Sequence, residues 1–198
     1  PPSLLPSQKD VLEKLLGLVE SECSENLCFL QGAAGTGKTF LIKTFLNILQ
    51  ANGKKFLISS TTCVSASQYK GATTVHSLFH LTIDKERIST FTSNIQKNTY
   101  AEKLLKQADI IIIGECSMLT KRVINDCDLT LRYAMINSNE EGIPSKTPYL
   151  IPPFGGKKIL FVGDFLQLPP VDLSSSPVFQ RMIFDLPWWN SVLTLSLA

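Results

Sequence analysis

The chain predicts an α/β domain, a mostly parallel sheet with helices on both faces, and three observations lead there. Apolar runs of strand length at 27–30, 110–113 and 159–162 show no polar alternation, as strands buried on both faces require. Stretches with helical spacing separate them. A glycine-rich loop joins the first run to the helix that follows, the turn at which such sheets present a ligand.

Each element has its own signal. Ser7 and Asp10 form a capping pair ahead of Val11, Leu12, Leu15, Leu16 and Val19, whose spacing predicts a first helix. Leu27, Cys28, Phe29 and Leu30 make the first strand. Phe40, Leu41, Phe45, Leu46 and Leu49 mark the helix beyond the glycine loop, with Asn52-Gly53 as its stop. Lys55 to Ser59 is a short buried strand. Residues 99–107 read as a helix leading into Ile110-Ile111-Ile112-Ile113, the strongest strand signal in the chain. A long helix is expected from Lys121 to Ile136. Asn, Glu, Pro and Gly crowd residues 138–156, which predicts an exposed loop. Ile159 to Val162 is a further buried strand ending at Gly163-Asp164, and Val192 to Leu197 is an apolar strand.

Composition bounds the class. The 198 residues suffice for one well-buried domain, and 44% hydrophobic with 18% charged residues describes an ordinary globular protein. A net charge of +2 is too small to argue for nucleic acid by itself. Cys23, Cys28, Cys63, Cys116 and Cys127 form no C-x-x-C pair and read as free thiols in a reducing compartment. No apolar run approaches the ~20 residues that span a bilayer, so no membrane role is expected. The chain starts without Met and stops in an apolar stretch, which suggests a piece of a longer protein.

The chemistry begins at residues 32–39. Gly32-Ala33-Ala34-Gly35-Thr36-Gly37-Lys38-Thr39 is a complete G-x-x-x-x-G-K-[ST] loop in its strand–loop–helix context. The glycines let several N–H groups turn inward as an anion-binding nest, and the following helix N-terminus adds positive charge. Lys38 is expected at the β- and γ-phosphates of a nucleoside triphosphate, with Thr39 as a magnesium ligand. Three more segments fall at carboxyl ends of strands. Gly114-Glu115 stands where phosphate-loop ATPases carry Asp-Glu, leaving Glu115 as the candidate base and no carboxylate at 114. Gly163 to Pro170 contains Gln167, suited to contact a γ-phosphate. Ser59-Ser60-Thr61-Thr62 offers hydroxyls for nucleic-acid phosphates, or a helix N-cap.

Together these segments resemble the superfamily-one DNA helicases of the Pif-like (RecD-like) family. Residues 32–39 look like motif I, Gly71 to Phe79 with His76 like the segment after motif Ia, Glu115 to Met118 like motif II, and Gly163 to Pro170 like motif III. Gln8 stands where the family places an adenine-reading glutamine. Asp128 to Arg132 and Pro153 to Lys158 look most like the helicases of Helitron-type transposons and of viruses.

The resemblance implies the first RecA-like domain of a helicase over residues 1–198, with a second RecA-like domain outside the chain. It implies ATP and Mg2+ as cofactors and single-stranded DNA and duplex junctions as partners. Catalysis would fall to Lys38, Glu115 and Gln167, and DNA contacts to Thr61, Thr62 and His76. Work in replication, recombination, repair or telomere maintenance would place the protein in the nucleus, with the mitochondrion or a viral replication site as alternatives. Gly114 keeps open an ATP-binding module of impaired turnover, such as a transposon or viral remnant. A small nucleotide kinase is disfavoured by the combination of Glu115, Gln167 and His76. His76 and His80 lack the intervening Glu of a zinc-protease helix, so no metal is expected there. Trp188 and Trp189 read either as base-stacking residues or as core or interface to the second domain.

Overall fold

The computed structural model describes residues 4–20, 25–81, 99–136, 150–167, 169–170 and 182–197. Six helices and six strands are seen among them: α1 (Pro6–Val19), β1 (Leu27–Gly32), α2 (Lys38–Ala51), β2 (Phe56–Ser60), α3 (Cys63–Ala66), β3 (Thr73–Thr74), α4 (Val75–Leu78), α5 (Tyr100–Gln107), β4 (Ile110–Gly114), α6 (Lys121–Met135), β5 (Lys158–Gly163) and β6 (Leu193–Leu197). The sheet order is β3-β2-β4-β5-β1-β6, and every described pairing is parallel. The expected α/β class is what the chain adopts.

Two apolar layers hold the sheet. Successive side chains of a strand point to opposite faces, so Ile110 and Ile112 join Leu15, Leu41 and Phe45 on one side. Ile111 and Ile113 join Phe79, Ile124, Leu131 and Phe154 on the other. Fully burying one such side chain contributes roughly 1.5–3 kcal/mol before conformational entropy is subtracted. Trp188 and Trp189 belong to the second layer: Trp188 stacks on Phe161 with centroids 5.9 Å apart, and Trp189 meets Phe29 at 5.5 Å. Both tryptophans are partly buried against this layer, as the core reading requires.

Helix starts are set by threonines. Thr62, Thr74, Thr99 and Thr120 each accept a backbone N–H three residues on, at Ser65, Ser77, Glu102 and Val123. The start of α1 differs from the Ser7–Asp10 cap predicted. Pro6 is its first residue, where a preset φ and the missing N–H suit the position. Gln8 Oε1 then accepts the Leu5 N–H at 3.1 Å.

The exposed loop expected over 138–156 needs correction at its end. Residues 137–149 lie outside the described residues, and Leu150 is exposed. Pro153–Gly156 is instead a 3-10 turn whose Phe154 is fully buried. Its N–H donates to Asp128 Oδ1 of α6 at 2.5 Å. Arg132, one helical turn on, clasps the same carboxylate through Nε at 2.7 Å and Nη2 at 2.9 Å, and its Nη1 donates to Ile151 O at 2.5 Å. A buried ion pair and one aromatic ring override the turn-rich composition.

Candidate functional site

All strands run the same way, so the loops after β1, β2, β3, β4 and β5 gather on one edge of the sheet. The loop after β1 is the phosphate-binding candidate. Gly37, at φ 85°, turns the chain into α2, and a Cβ there would stand 2.5 Å from Gln8 Nε2. The left-handed φ favours glycine there, and any side chain would also push Gln8 off the loop. Gln8 itself is buried, and its Nε2 donates to Thr36 O at 3.1 Å, so it braces α1 against the loop. Lys38 Nζ donates to Gly32 O and, at 2.9 Å, to Ala33 O, two carbonyls of its own loop. The first-turn amides of α2 have no partner within the helix. These residues fit a magnesium nucleoside triphosphate: an amine whose bonds phosphate oxygens can replace, a loop kept open by glycine, and Thr39 at the helix start.

The Thr39 hydroxyl donates to Gln68 Oε1 at 3.3 Å, and Tyr69 shares a side-chain hydrogen bond with it. Burial pushes the Tyr69 phenol above its ordinary 10.0; the Thr39 bond pulls it back and the Glu115 carboxylate adds to the rise. Glu115 has a left-handed backbone, φ 53°, uncommon for a residue with a Cβ. Thr61 Oγ1 donates to Glu115 O at 2.7 Å and helps hold that turn. Next to it, a Cβ on Gly114 would meet Ser60 Oγ at 3.3 Å. The position is tight and open enough for a side chain only if Ser60 yields.

The loop after β5 closes against the same turn. A Cβ on Gly163 would stand 3.0 Å from Cys116 Sγ and 3.2 Å from the Ser117 nitrogen, so glycine permits the contact. Buried Asp164 accepts the Leu166 N–H at 3.0 Å through Oδ1 and Gln167 Nε2 at 2.9 Å through Oδ2. Ser117 Oγ is buried with no hydrogen-bond partner among the described residues. The Cys116 thiol is pushed far up by burial, with Glu115 adding to it, which makes it inert.

The residues expected at DNA have structural work as well. Thr61 pins Glu115, Thr62 caps α3, and half-buried His76 lies on α4 with its pKa lowered by burial. Register places Ser60 beside Thr74, so the 61–62 and 74–76 segments leave adjacent strand ends. Sequence reasoning missed Gln68 and Tyr69, which belong to no periodic or motif pattern, and gave Ser60 a phosphate-binding role where the structure sets its hydroxyl against Gly114. Cys23 lies outside the described residues, and Cys63, Cys116 and Cys127 are free thiols.

Fold and site define a RecA-like phosphate-loop NTPase domain: a parallel sheet whose carboxyl edge carries a nucleotide loop, a carboxylate turn and a glutamine loop. Within that class the chain belongs to the PIF1-like helicase family, whose profile matches residues 3–198. It is 31% identical over 167 residues, 82% of the chain and 15% of the relative, to the ATP-dependent DNA helicase PIF1 of Trypanosoma brucei brucei. It is 32% identical over 167 residues, 82% of the chain and 31% of the relative, to ATP-dependent DNA helicase Pif1 of Campylobacter jejuni. The structure of Pif1 helicase from Candida albicans matches at TM-score 0.74 and 24% identity, covering 99% of this chain and 40% of that one. Bacteroides Pif1 bound to ssDNA matches at TM-score 0.66 and 22% identity, over 99% and 42%. Both structures share the fold. The chain spans less than a quarter of the length of the first curated relatives it matches.

Proposed function

We propose that this chain is the first motor domain of an ATP-dependent DNA helicase that couples nucleotide turnover to movement along single-stranded DNA and opening of duplex junctions. The intact phosphate loop with Lys38 and Thr39, on the same sheet edge as the loops that carry Glu115 and Gln167, supports the reading. Bound Mg2+ would neutralise phosphate charge. Lys38 would exchange its bonds to Gly32 and Ala33 for phosphate oxygens, and Thr39 would present its hydroxyl to the cation. Glu115 would take a proton from the attacking water, and Gln167 would leave Asp164 to sense the terminal phosphate. Gln8, braced on the loop, would read adenine at the far end. Thr61, Thr62 and His76 would border the DNA path. A second RecA-like domain would close the site and turn that closure into steps. In this reading the protein serves replication, recombination, repair or telomere maintenance in the nucleus, with the mitochondrion or a viral replication site as alternatives.

Calorimetry with ATP tests the first step. The chain is expected to bind ATP with magnesium, and Lys38→Ala to lose most of that affinity. Equal affinities would defeat the reading. Binding of labelled single strands should weaken as salt rises, because phosphate contacts release counterions. An affinity indifferent to salt would remove DNA from the proposal.

A further inference from the structure

The chain lacks a carboxylate at 114, yet Thr39 does not stand without an acceptor. We infer that Gln68, assisted by Tyr69, is a positioning residue for the metal site and supplies the acceptor that position 114 does not. The inference rests on the Mg–ATP reading of residues 32–39.

The physical argument concerns one hydrogen atom. A threonine hydroxyl that gives a lone pair to a cation keeps its proton and needs an acceptor for it, since that acceptor fixes which way the lone pair points. Gln68 Oε1 already accepts from Thr39 Oγ1 at 3.3 Å. Tyr69, half-buried, interacts with the same side chain, while the Thr39–Gln68 bond itself is exposed. Both residues come from the turn after α3. That turn is held by the Thr62 cap and by Tyr69 N–H donating to Ala66 O at 3.0 Å. Gln68 brings an oxygen without a full charge. It can therefore orient the threonine without replacing the electrostatic pull of a carboxylate. Metal-assisted binding survives by this route while chemistry stays slow.

The test reads metal affinity apart from turnover. Mn2+ serves as the probe, followed by electron paramagnetic resonance with a non-hydrolysable ATP analogue on the 198-residue chain. Gln68→Ala is expected to weaken Mn2+ about 10-fold, the lower end of what loss of an outer-shell partner costs. Gln68→Glu keeps the acceptor and is expected to bind Mn2+ at least as tightly as wild type. In a Gly114→Asp background the cost of Gln68→Ala should shrink to less than about 2-fold, because the carboxylate takes over the hydroxyl proton. Analogue affinity in EDTA monitors the loop itself and should not change with Gln68→Ala in either background. Unchanged Mn2+ affinity in Gln68→Ala, or an equal loss in both backgrounds, overturns the inference and leaves nucleotide binding standing. A wild-type chain that binds no analogue even in EDTA removes the Mg–ATP reading and the inference with it.

Discussion

Two polar regions of this molecule handle their hydrogen bonds in opposite ways. In the clasp between α6 and the Pro153–Gly156 turn the hydrogen bonds are internal and short: Asp128 takes Arg132 and the Phe154 N–H, and Arg132 also reaches Ile151 O. At the nucleotide edge the bonds are provisional. Lys38 holds carbonyls of its own loop, Gln167 is exposed on Asp164, Ser117 Oγ has no partner among the described residues, and Glu115 sits in a left-handed turn. A closed network specifies a structure, whereas groups with replaceable partners and strained backbone suit a site that must exchange them for a ligand.

Breaking the clasp should have the largest effect on stability. Asp128→Ala leaves the buried Arg132 charge without its carboxylate and the Phe154 N–H without its acceptor. The expected loss is about 3–5 kcal/mol in urea unfolding. ATP affinity of the folded fraction should not change, because the clasp does not reach the phosphate loop. A loss under about 1 kcal/mol would show the clasp to be ornamental to folding.

The opposite experiment adds a charge at the nucleotide edge. Gly114→Asp, in a protein joining this chain to a second motor domain, is expected to raise DNA-stimulated phosphate release about 100-fold or more, roughly 3 kcal/mol of transition-state stabilisation. Its Cβ would press on Ser60 Oγ at 3.3 Å, so the gain should be larger when Ser60→Ala accompanies it. Equal rates with and without the Asp would mean that Gln68 or Asp164 already meets the need.

A smaller effect separates the two roles of Thr62. As the cap of α3 its loss in Thr62→Ala should cost about 1 kcal/mol, and Thr62→Ser should restore it. Single-strand affinity that falls with Thr62→Ala and returns with Thr62→Ser, at unchanged stability, would instead place the hydroxyl on DNA.

The long elements were legible because their signals are local. Four consecutive isoleucines give β4, glycine and lysine spacing gives the phosphate loop, and the stop at Asn52-Gly53 lies at the end of α2. The Asp128–Arg132 clasp has the i, i+4 spacing of a surface helical pair. Only its neighbour Phe154, distant in sequence, makes it a buried one. Gln68 and Tyr69 escaped for a related reason. They are ordinary polar turn residues until the parallel order β3-β2-β4 brings their loop over Thr39. The α3–β3–α4 segment hid because four-residue helices and a two-residue strand carry too few positions to show a period.

The smallest expected effect lies beside that segment, at His76. Its ring is half-buried on α4, and burial lowers its pKa below the ordinary 6.5. In the unfolded chain it regains the ordinary value, so between 6.5 and the lowered folded pKa the unfolded state binds more protons. Stability therefore falls as pH drops through 6.5 and levels off below the folded pKa; above 6.5 the residue contributes no slope. Since the ring keeps substantial solvent contact, the effect is small. Urea midpoints at about pH 7.5 and about pH 5.5 should differ more in wild type than in His76→Gln, whose side chain does not titrate. Carboxylates titrate alike in both proteins, so the difference of differences isolates the histidine. If the two proteins lose stability in parallel, the His76 titration does not differ between folded and unfolded chains and burial does not lower its pKa.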